Sequence, residues 1–220
     1  MIVTISGKMY AGKDTLADGL CLDSKVSVHR FTFSDLLRAE GTAAVDVLRA
    51  SPRRDSETVR AVADALGPFA AHADEFVAAL ERDVTKPGFS LASRTTNTRF
   101  VLQAMGSDWA PTPTYWAEKA LATAQQHERE AGLVLMVGTR FQTEHDLFTN
   151  QGALTVRLDV SRDEQMARAL RRDGIIPSAT QLDHPGEVAL DEADFGLRIS
   201  SDHHEPEDIQ MIVKAALMNG

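Results

Sequence analysis

An apolar run at residues 2–5 leads directly into a glycine-rich segment at residues 7–13, and helical spacing follows at 14–22. This order of strand, loop and helix is typical of the first repeat of an α/β fold. The segment, here called the glycine loop, has the spacing G-x-x-x-x-G-K, in which backbone N–H groups enclose phosphate and the lysine bridges the outer phosphates. The sequence therefore predicts a phosphate-binding loop, with an ordinary glycine-containing turn as the alternative.

The residues predicted to bind the nucleotide are Gly7, Ala11, Gly12, Lys13, Asp14 and Thr15. Asp14 stands where this pattern usually has a serine or threonine, whose hydroxyl ligates magnesium. A carboxylate there could serve the metal directly or through water, or it could be a first-turn helix residue stabilised by the helix dipole. Both interpretations of Asp14 stay open, and Asp14 and Thr15 are the candidate metal ligands.

Strand and helix patterns alternate along the rest of the chain. Further strands are predicted at 26–33, 132–141, 153–160 and 195–200. Helices are predicted at 35–50, 98–106, 113–130, 142–150, 161–174 and 206–218, and residues 57–82 are predicted to form two helical segments separated by Gly67 and Pro68. The five consecutive apolar residues at 133–137 are typical of a central strand that is buried on both faces. The fold class is therefore α/β with a largely parallel sheet, and residues 1–220 are expected to form a single domain with a helical insertion.

Composition excludes several classes of partner. The net charge is −9, so binding to a nucleic acid polymer is not expected. No apolar stretch is long enough to cross a bilayer, and the single cysteine, Cys21, rules out an intrachain disulfide. The expected location is the cytoplasm, with no membrane partner, and a homodimer stays open.

The segment "SGKMYAGKDT" at residues 6–15 resembles the loop of bacteriophage deoxynucleoside monophosphate kinases and, more distantly, of animal phosphomevalonate kinases. Other segments are similar to the phage kinases in the same order: "FTFSDLLRAEG" at 31–41, "RFVLQAMGSDW" at 99–109, "VLMVGTRFQTE" at 134–144 and "LDHPGE" at 182–187. The resemblance implies a P-loop kinase fold with a mostly parallel five-stranded sheet flanked by helices. It also implies a helical acceptor-binding insertion at about 34–130 and a mobile basic lid at about 161–187.

The candidate acceptor-binding residues are Ser34, Asp35, Arg38, Arg99, Gln103, Trp116 and Arg140, and the resemblance implies this role for Asp35 and Arg140. Arginines could hold the acceptor phosphate by forked hydrogen bonds, the glutamine could read a base edge, and the tryptophan could stack on the base. The alternatives are a solvated helix face, a helix cap and a core aromatic. Ser34 is also predicted to cap the helix that follows it.

The predicted catalytic residues are Lys13, Arg140, Arg168 and Arg172. The last two lie in the basic helix 161–174, whose arginines on one face are typical of a lid that closes over phosphates, although a solvated face is the alternative. The run 133–137 is not followed by a carboxylate, so magnesium would depend on Asp14 or Thr15, on Asp35, or on phosphates and water. His184 and Glu187 match the family motif only in part, because Gly186 replaces its serine, so structural bracing of the lid is the role predicted for them.

The predicted function is transfer of phosphate from ATP, with Mg²⁺, to a deoxynucleoside monophosphate, so the expected partners are small molecules. A related kinase acting on phosphomevalonate or dephospho-coenzyme A is the alternative within enzymes. A nucleotide-binding regulatory or motor NTPase is the alternative in another class, although such a protein usually has a hydrolytic carboxylate where Gly138 stands.

Overall fold

The structure is a computed structural model that describes residues 1–22 and 26–219. It divides the chain into two compact units. The sheet unit comprises residues 1–32 and 117–220, and the helical unit comprises residues 33–116. Within the described residues, no helix combines the length and the apolar composition that crossing a membrane would require.

The strands in chain order are β1 (Ile2–Gly7), β2 (Val28–Thr32), β3 (Leu133–Thr139), β4 (Leu154–Asp159) and β5 (Leu197–Ser200). The helices are α1 (Lys13–Leu22), α2 (Phe33–Ala50), α3 (Ser56–Leu66), α4 (Ala73–Leu80), α5 (Thr96–Gly106), α6 (Tyr115–Glu130), α7 (Gln142–Asn150), α8 (Arg162–Asp173), α9 (Ala179–Leu182), α10 (Pro185–Val188) and α11 (Pro206–Asn219). A 3₁₀ helix (Gly67–His72) connects α3 to α4.

The described part of the sheet unit contains five strands in the order β2-β3-β1-β4-β5, and all neighbours are parallel. The sheet confirms the predicted α/β fold with its five-stranded, parallel sheet. Because parallel strands share one carboxyl edge, the segments that follow β1, β3 and β4 emerge on the same side of the sheet. The glycine loop follows β1 and the predicted Arg140 follows β3, so both lie at that edge.

The core of the sheet unit explains why β1 and β3 occupy the centre. Residues 133–137 are all buried, as the apolar run predicted, and Val3 and Ile5 of β1 are completely buried beside them. Leu16 and Leu20 of α1 pack into the same core. Each such side chain contributes about 1.5–3 kcal/mol by leaving water, so the strand before the loop and the helix after it are both held firmly.

The helical unit has its own core, which includes Phe69 and Phe76. Its helices begin at local caps: Asp55 accepts a hydrogen bond from the backbone N–H of Thr58 at 2.8 Å before α3, and Thr95 forms a capping box with Thr98 before α5. Helix α2 begins at Phe33, so Ser34 is its second residue and lies inside the first turn, not at the cap position that the sequence predicted for it.

The segment at 175–194 contains two short helices that the sequence did not predict. Ser178 caps α9 by accepting from the backbone N–H of Gln181, and the His184 side chain accepts from Gly186 N at the start of α10. Each helix has only four residues, which is too short to produce a readable apolar period. Their capping side chains were the available signal.

Candidate functional site

The glycine loop turns at positions that only glycine tolerates well. Gly7 has a φ of 150° and Gly12 a φ of 91°. A Cβ atom on Gly7 would lie 2.6 Å from the carbonyl oxygen of Leu158, whereas a Cβ atom on Gly12 would meet no atom within 4 Å. The first glycine therefore permits close packing against β4, and the second leaves open space beside the backbone, as a bound polyphosphate requires.

The side chain of Lys13 is hydrogen-bonded to the backbone of its own loop. Its Nζ donates hydrogen bonds to the carbonyl oxygens of Gly7 and Lys8, at 2.7 Å each. The ammonium group is therefore held beside the loop backbone, and phosphate oxygens can take the place of these carbonyl oxygens as its hydrogen-bond acceptors. This is the arrangement expected of a lysine that bridges the outer phosphates of a nucleotide.

Burial and neighbouring charges act on the pKa of Lys13 in opposite directions. Burial lowers the pKa of Lys13 from its usual 10.5 to about 8, and the guanidinium groups of Arg140 and Arg157 act in the same direction. The carboxylates of Glu187 and Asp14 oppose this shift. Lys13 is therefore mostly charged at neutral pH, but its charge depends on the groups around it.

A cavity of about 810 Å³ lies next to the loop. Residues 10–15, the basic side of α8 and residues 201–206 form its walls. Five of the six predicted nucleotide-binding residues line it, and the carbonyl group of the sixth, Gly7, is bonded to Lys13. A cavity of this size lies within the range that accommodates small-molecule ligands, so the sheet unit has room for such a ligand beside the glycine loop.

Arg168 and Arg172 of α8 line this cavity, but each is engaged with the protein. Arg168 donates to the carbonyl oxygen of Tyr10 at 3.1 Å and to that of Ser201 at 2.7 Å, and its Nε is bonded to Glu164. Arg172 pairs with Asp173, its guanidinium carbon 4.5 Å from the centroid of the Tyr10 ring. Arg168 therefore ties the glycine loop to the end of β5, while Arg172 borders the cavity at an exposed position.

Tyr10 is a site residue that the sequence did not identify. It has a φ of 64°, and its hydroxyl donates to Asp173 at 2.8 Å, a hydrogen bond that raises the pKa of the Tyr10 phenol. Gln165 adds a further bond from α8 to the loop, from its Nε2 to the carbonyl oxygen of Met9 at 3.0 Å. Helix α8 is thus attached to the loop through several side chains.

Arg140 is held at both its backbone and its guanidinium group. Its backbone N–H donates to Glu144 at 2.7 Å, and its Nη1 lies 2.7 Å from Oε1 of Glu187. Glu144 also accepts from Phe141 N and so caps α7; burial raises the pKa of Glu144 to about 7 against the effect of these N–H groups. The Arg140 side chain is nevertheless 47% exposed, so part of its guanidinium group stays accessible to an anion.

The two candidate metal ligands differ in their surroundings. Asp14 is paired with Arg30 of β2 at 2.5 Å, and Thr15 is exposed on the cavity wall. Within residues 1–22 and 26–219, no three histidine, cysteine or acidic side chains are arranged to hold a metal ion. The hydroxyl of Thr15 and the carboxylate of Asp14 are oxygen donors of the kind that magnesium prefers, so these two residues fit a magnesium ion that keeps most of its contacts to phosphate oxygens and water.

A buried arginine beneath the loop was also missed. The Arg157 side chain is 3% exposed, and its Nη1 donates to Ser6 Oγ at 3.1 Å while its Nη2 pairs with Asp191 at 2.5 Å. The other oxygen of Asp191 pairs with Lys8 at 2.8 Å. This network anchors the first half of the loop, and its signal in the sequence was an arginine inside the apolar strand pattern of β4.

The remaining predicted acceptor residues belong to the helical unit. Asp35 and Arg38 form an ion pair at 3.1 Å, and Arg99 and Gln103 are both exposed on α5. Ser34 is exposed as well. Trp116, by contrast, is 8% exposed; its indole N–H donates to the carbonyl oxygen of Met105 at 2.7 Å, and its ring stacks on Phe69. These contacts make Trp116 a core residue of the helical unit.

No protein-family model and no curated protein matches this sequence. Among solved structures, a sugar kinase from a Janibacter species matches 98% of this chain and 93% of its own, at 14% identity and a TM-score of 0.50. A tunicamycin resistance protein from Deinococcus radiodurans matches 98% of this chain and 94% of its own, at 17% identity and a TM-score of 0.49. At such low identity the likeness to the sugar kinase shows the fold alone, and that fold is the predicted P-loop kinase fold.

Proposed function

We propose that this protein transfers the γ-phosphoryl group of ATP to a small-molecule acceptor, and that the acceptor is the 5′-phosphate of a deoxynucleoside monophosphate. The observation that supports phosphoryl transfer is the geometry of the glycine loop. There is open space beside the backbone at Gly12, and the Lys13 ammonium group donates to two backbone carbonyl oxygens whose place as acceptors phosphate oxygens can take. The choice of acceptor is supported by the five segments that resemble phage deoxynucleoside monophosphate kinases.

In this reaction the bond between the γ-phosphorus and the oxygen that bridges it to the β-phosphate breaks. A bond from the same phosphorus to an oxygen of the acceptor phosphate forms, which yields ADP and a deoxynucleoside diphosphate. Because the acceptor oxygen is already anionic, no side chain has to remove a proton. The protein contributes positioning and positive charge, which are the main sources of catalysis in phosphoryl transfer.

Separate residues carry these contributions. Lys13 stabilises the negative charge that moves between the donor phosphates, and Arg140 binds the acceptor phosphate through the exposed part of its guanidinium group. Arg172 is 68% exposed beside the cavity, where it can reach the donor phosphates. Magnesium, when bound with ATP, would reduce the charge on the phosphate oxygens, and Asp14 and Thr15 are the residues that would hold it.

In the helical unit, the residues proposed for the acceptor are Ser34, Asp35, Arg38, Arg99, Gln103 and Trp116. Exposed side chains at Arg99 and Gln103, four residues apart on one helix, support a pair that binds phosphate and reads a base. The core packing of Trp116 supports an indirect role in acceptor binding, in which Trp116 stabilises the helices that carry these side chains.

The function is tested by coupling ADP release to a spectrophotometric readout, with ATP and each of the four deoxynucleoside and four nucleoside monophosphates. Phosphomevalonate and dephospho-coenzyme A are tested in parallel, and products are identified by ³¹P NMR. ADP release that depends on a deoxynucleoside monophosphate is the expected result. Turnover with only phosphomevalonate or dephospho-coenzyme A would overturn the acceptor, and hydrolysis that is equally fast without any acceptor would identify an NTPase.

A further inference from the structure

Glu187 of α10 is a buried carboxylate with a different partner on each oxygen. Its side chain is 2% exposed. Oε2 accepts a hydrogen bond from the backbone N–H of Met9 at 2.5 Å, and Oε1 accepts from Nη1 of Arg140 at 2.7 Å. A carboxylate so far from water is tolerated only when its oxygens are paired, so this geometry demands a carboxylate of this length.

The short helix that carries Glu187 is fixed at its start. Nδ1 of His184 accepts from the backbone N–H of Gly186 at 3.1 Å, and the carbonyl oxygen of His184 accepts from the backbone N–H of Glu187 at 2.7 Å. The backbone that carries the carboxylate is therefore fixed, and so are the two groups to which its oxygens are bonded. A side chain held in this way fixes the position of one partner relative to the other.

The two partners belong to different halves of the proposed reaction. Met9 lies in the glycine loop, which would hold the donor phosphates, and Arg140 would hold the acceptor phosphate. Within the described part of the sheet unit, the carboxylate of Glu187 accepts a hydrogen bond from each of them. The spacing between donor and acceptor matters greatly for transfer, because an error of about 1 Å can slow a reaction roughly 100-fold.

We propose that Glu187 is a positioning residue for phosphoryl transfer, which sets Arg140 at a fixed place relative to the glycine loop. It touches neither substrate and acts through Arg140 and the backbone of the loop. The proposal rests on the proposed function for the role of Arg140, but the effect of Glu187 on the glycine loop can be measured by nucleotide binding alone.

Two substitutions test this connection. Glu187→Gln keeps the length of the side chain and removes its charge, whereas Glu187→Asp keeps the charge and is too short to reach both partners. Glu192→Gln is the matched control, since Glu192 is an exposed carboxylate five residues further along the chain. The measurements are the acceptor KM at fixed ATP, and the calorimetric affinity for a non-hydrolysable ATP analogue at a single pH.

For both Glu187 variants we expect the ATP analogue to bind several-fold more weakly, because the backbone N–H of Met9 loses its carboxylate acceptor and the glycine loop is held less firmly. Both variants should raise the acceptor KM roughly tenfold or more, as expected from the loss of a charge-assisted hydrogen bond. Glu192→Gln should change neither quantity.

An unchanged acceptor KM in Glu187→Gln and Glu187→Asp would overturn the proposal, even if both variants melted at lower temperature. Should Glu187→Gln fail to fold, Glu187→Asp decides: an unchanged acceptor KM would also overturn it. If the unmodified protein transfers phosphate to no acceptor, the proposed function fails. The affinity for the ATP analogue then still tests the coupling between Glu187 and the glycine loop.

Discussion

Oδ1 of Asp14 lies 2.5 Å from Nη2 of Arg30, so the carboxylate that replaces the usual hydroxyl is paired with a cation from β2. Arg30 also binds Asp18, one turn further along α1. A carboxylate at the mouth of a phosphate site would repel the anion, and Arg30 offsets that charge. The departure from the usual loop pattern is thus accompanied by a compensating arginine.

Arg30→Ala is predicted to raise the KM for ATP, since it leaves the charge of Asp14 uncompensated. The exposed position of Asp14 limits the effect to about two- to fivefold, and added salt should reduce it further. Steady-state kinetics at low and high ionic strength measures this. Adding Asp14→Ser to Arg30→Ala should restore the KM; a double variant as impaired as Arg30→Ala would contradict the explanation.

Lys13→Met is predicted to abolish transfer while the fold remains intact. The substitution keeps the unbranched side chain and removes the charge that would stabilise the migrating phosphoryl group, and the loss of one such donor typically slows a reaction about 100-fold or more. The measurements are kcat and the thermal unfolding curve of the same preparation. Near-normal turnover would contradict the assignment of the glycine loop.

Nucleotide binding is predicted to take up a proton near pH 8.5. The pKa of Lys13 is about 8 in the folded chain, against 10.5 in its ordinary state, so about half or less of this lysine is charged there, and a polyphosphate favours the charged form. Calorimetry in buffers of different ionisation enthalpy measures the uptake. Lys13→Met is the control, and equal uptake in both proteins would show that another group is responsible.

The same shift predicts how stability depends on pH. Between about pH 8 and 10.5 the unfolded chain holds more of this proton than the folded chain does, so the contribution of Lys13 to the free energy of unfolding rises with pH. Below pH 8 Lys13 is charged in both the folded and the unfolded chain, so the full free-energy cost of burying that charge applies and no longer changes with pH. Denaturant titrations of the unmodified protein and Lys13→Met should diverge across this range, with the unmodified protein gaining relative stability as pH rises.

The parts of the site that could be predicted from sequence are those whose chemistry is local. The glycine loop depends on residues spaced within a few positions, and the run 133–137 reveals a central strand by its own composition. Glu187 and Met9 are 178 residues apart, and Tyr10 and Asp173 are 163 apart, so no pattern along the chain links them. Contacts of this kind arise from strand order, which periodicity does not specify.

Arg168 shows the same limit within a single helix. The sequence predicted Arg168 to be a catalytic arginine of a lid, and its spacing placed it on one basic face with Arg171 or Arg172. The fold instead buries much of Arg168 against Tyr10 and Ser201 and leaves Arg171 exposed with Glu164 as its partner. Packing on the loop, which the sequence does not display, distinguishes an anchoring arginine from a solvated one.

Arg168→Ala is therefore predicted to lower the free energy of unfolding by about 1–3 kcal/mol and to raise the KM for ATP, because the carbonyl groups of Tyr10 and Ser201 lose their donor. Arg171→Ala, on the same helix, should change stability by less than about 0.5 kcal/mol. Denaturant unfolding and ATP kinetics of both variants give the comparison. Equal effects at the two positions would mean that Arg168 does not anchor the loop.

Arg140→Ala is predicted to raise the acceptor KM roughly tenfold or more while changing the KM for ATP far less. It should also lower stability by about 1–3 kcal/mol, because the buried Glu187 loses its charged partner. Arg140→Lys keeps that charge but lacks the forked guanidinium group, so it should recover most of the stability and still bind the acceptor poorly. Kinetics with each substrate varied in turn, beside denaturant unfolding, separates these effects. An equal rise in both KM values would place Arg140 at the donor, and an acceptor KM restored by lysine would show that charge alone, without forked hydrogen bonds, holds the acceptor phosphate.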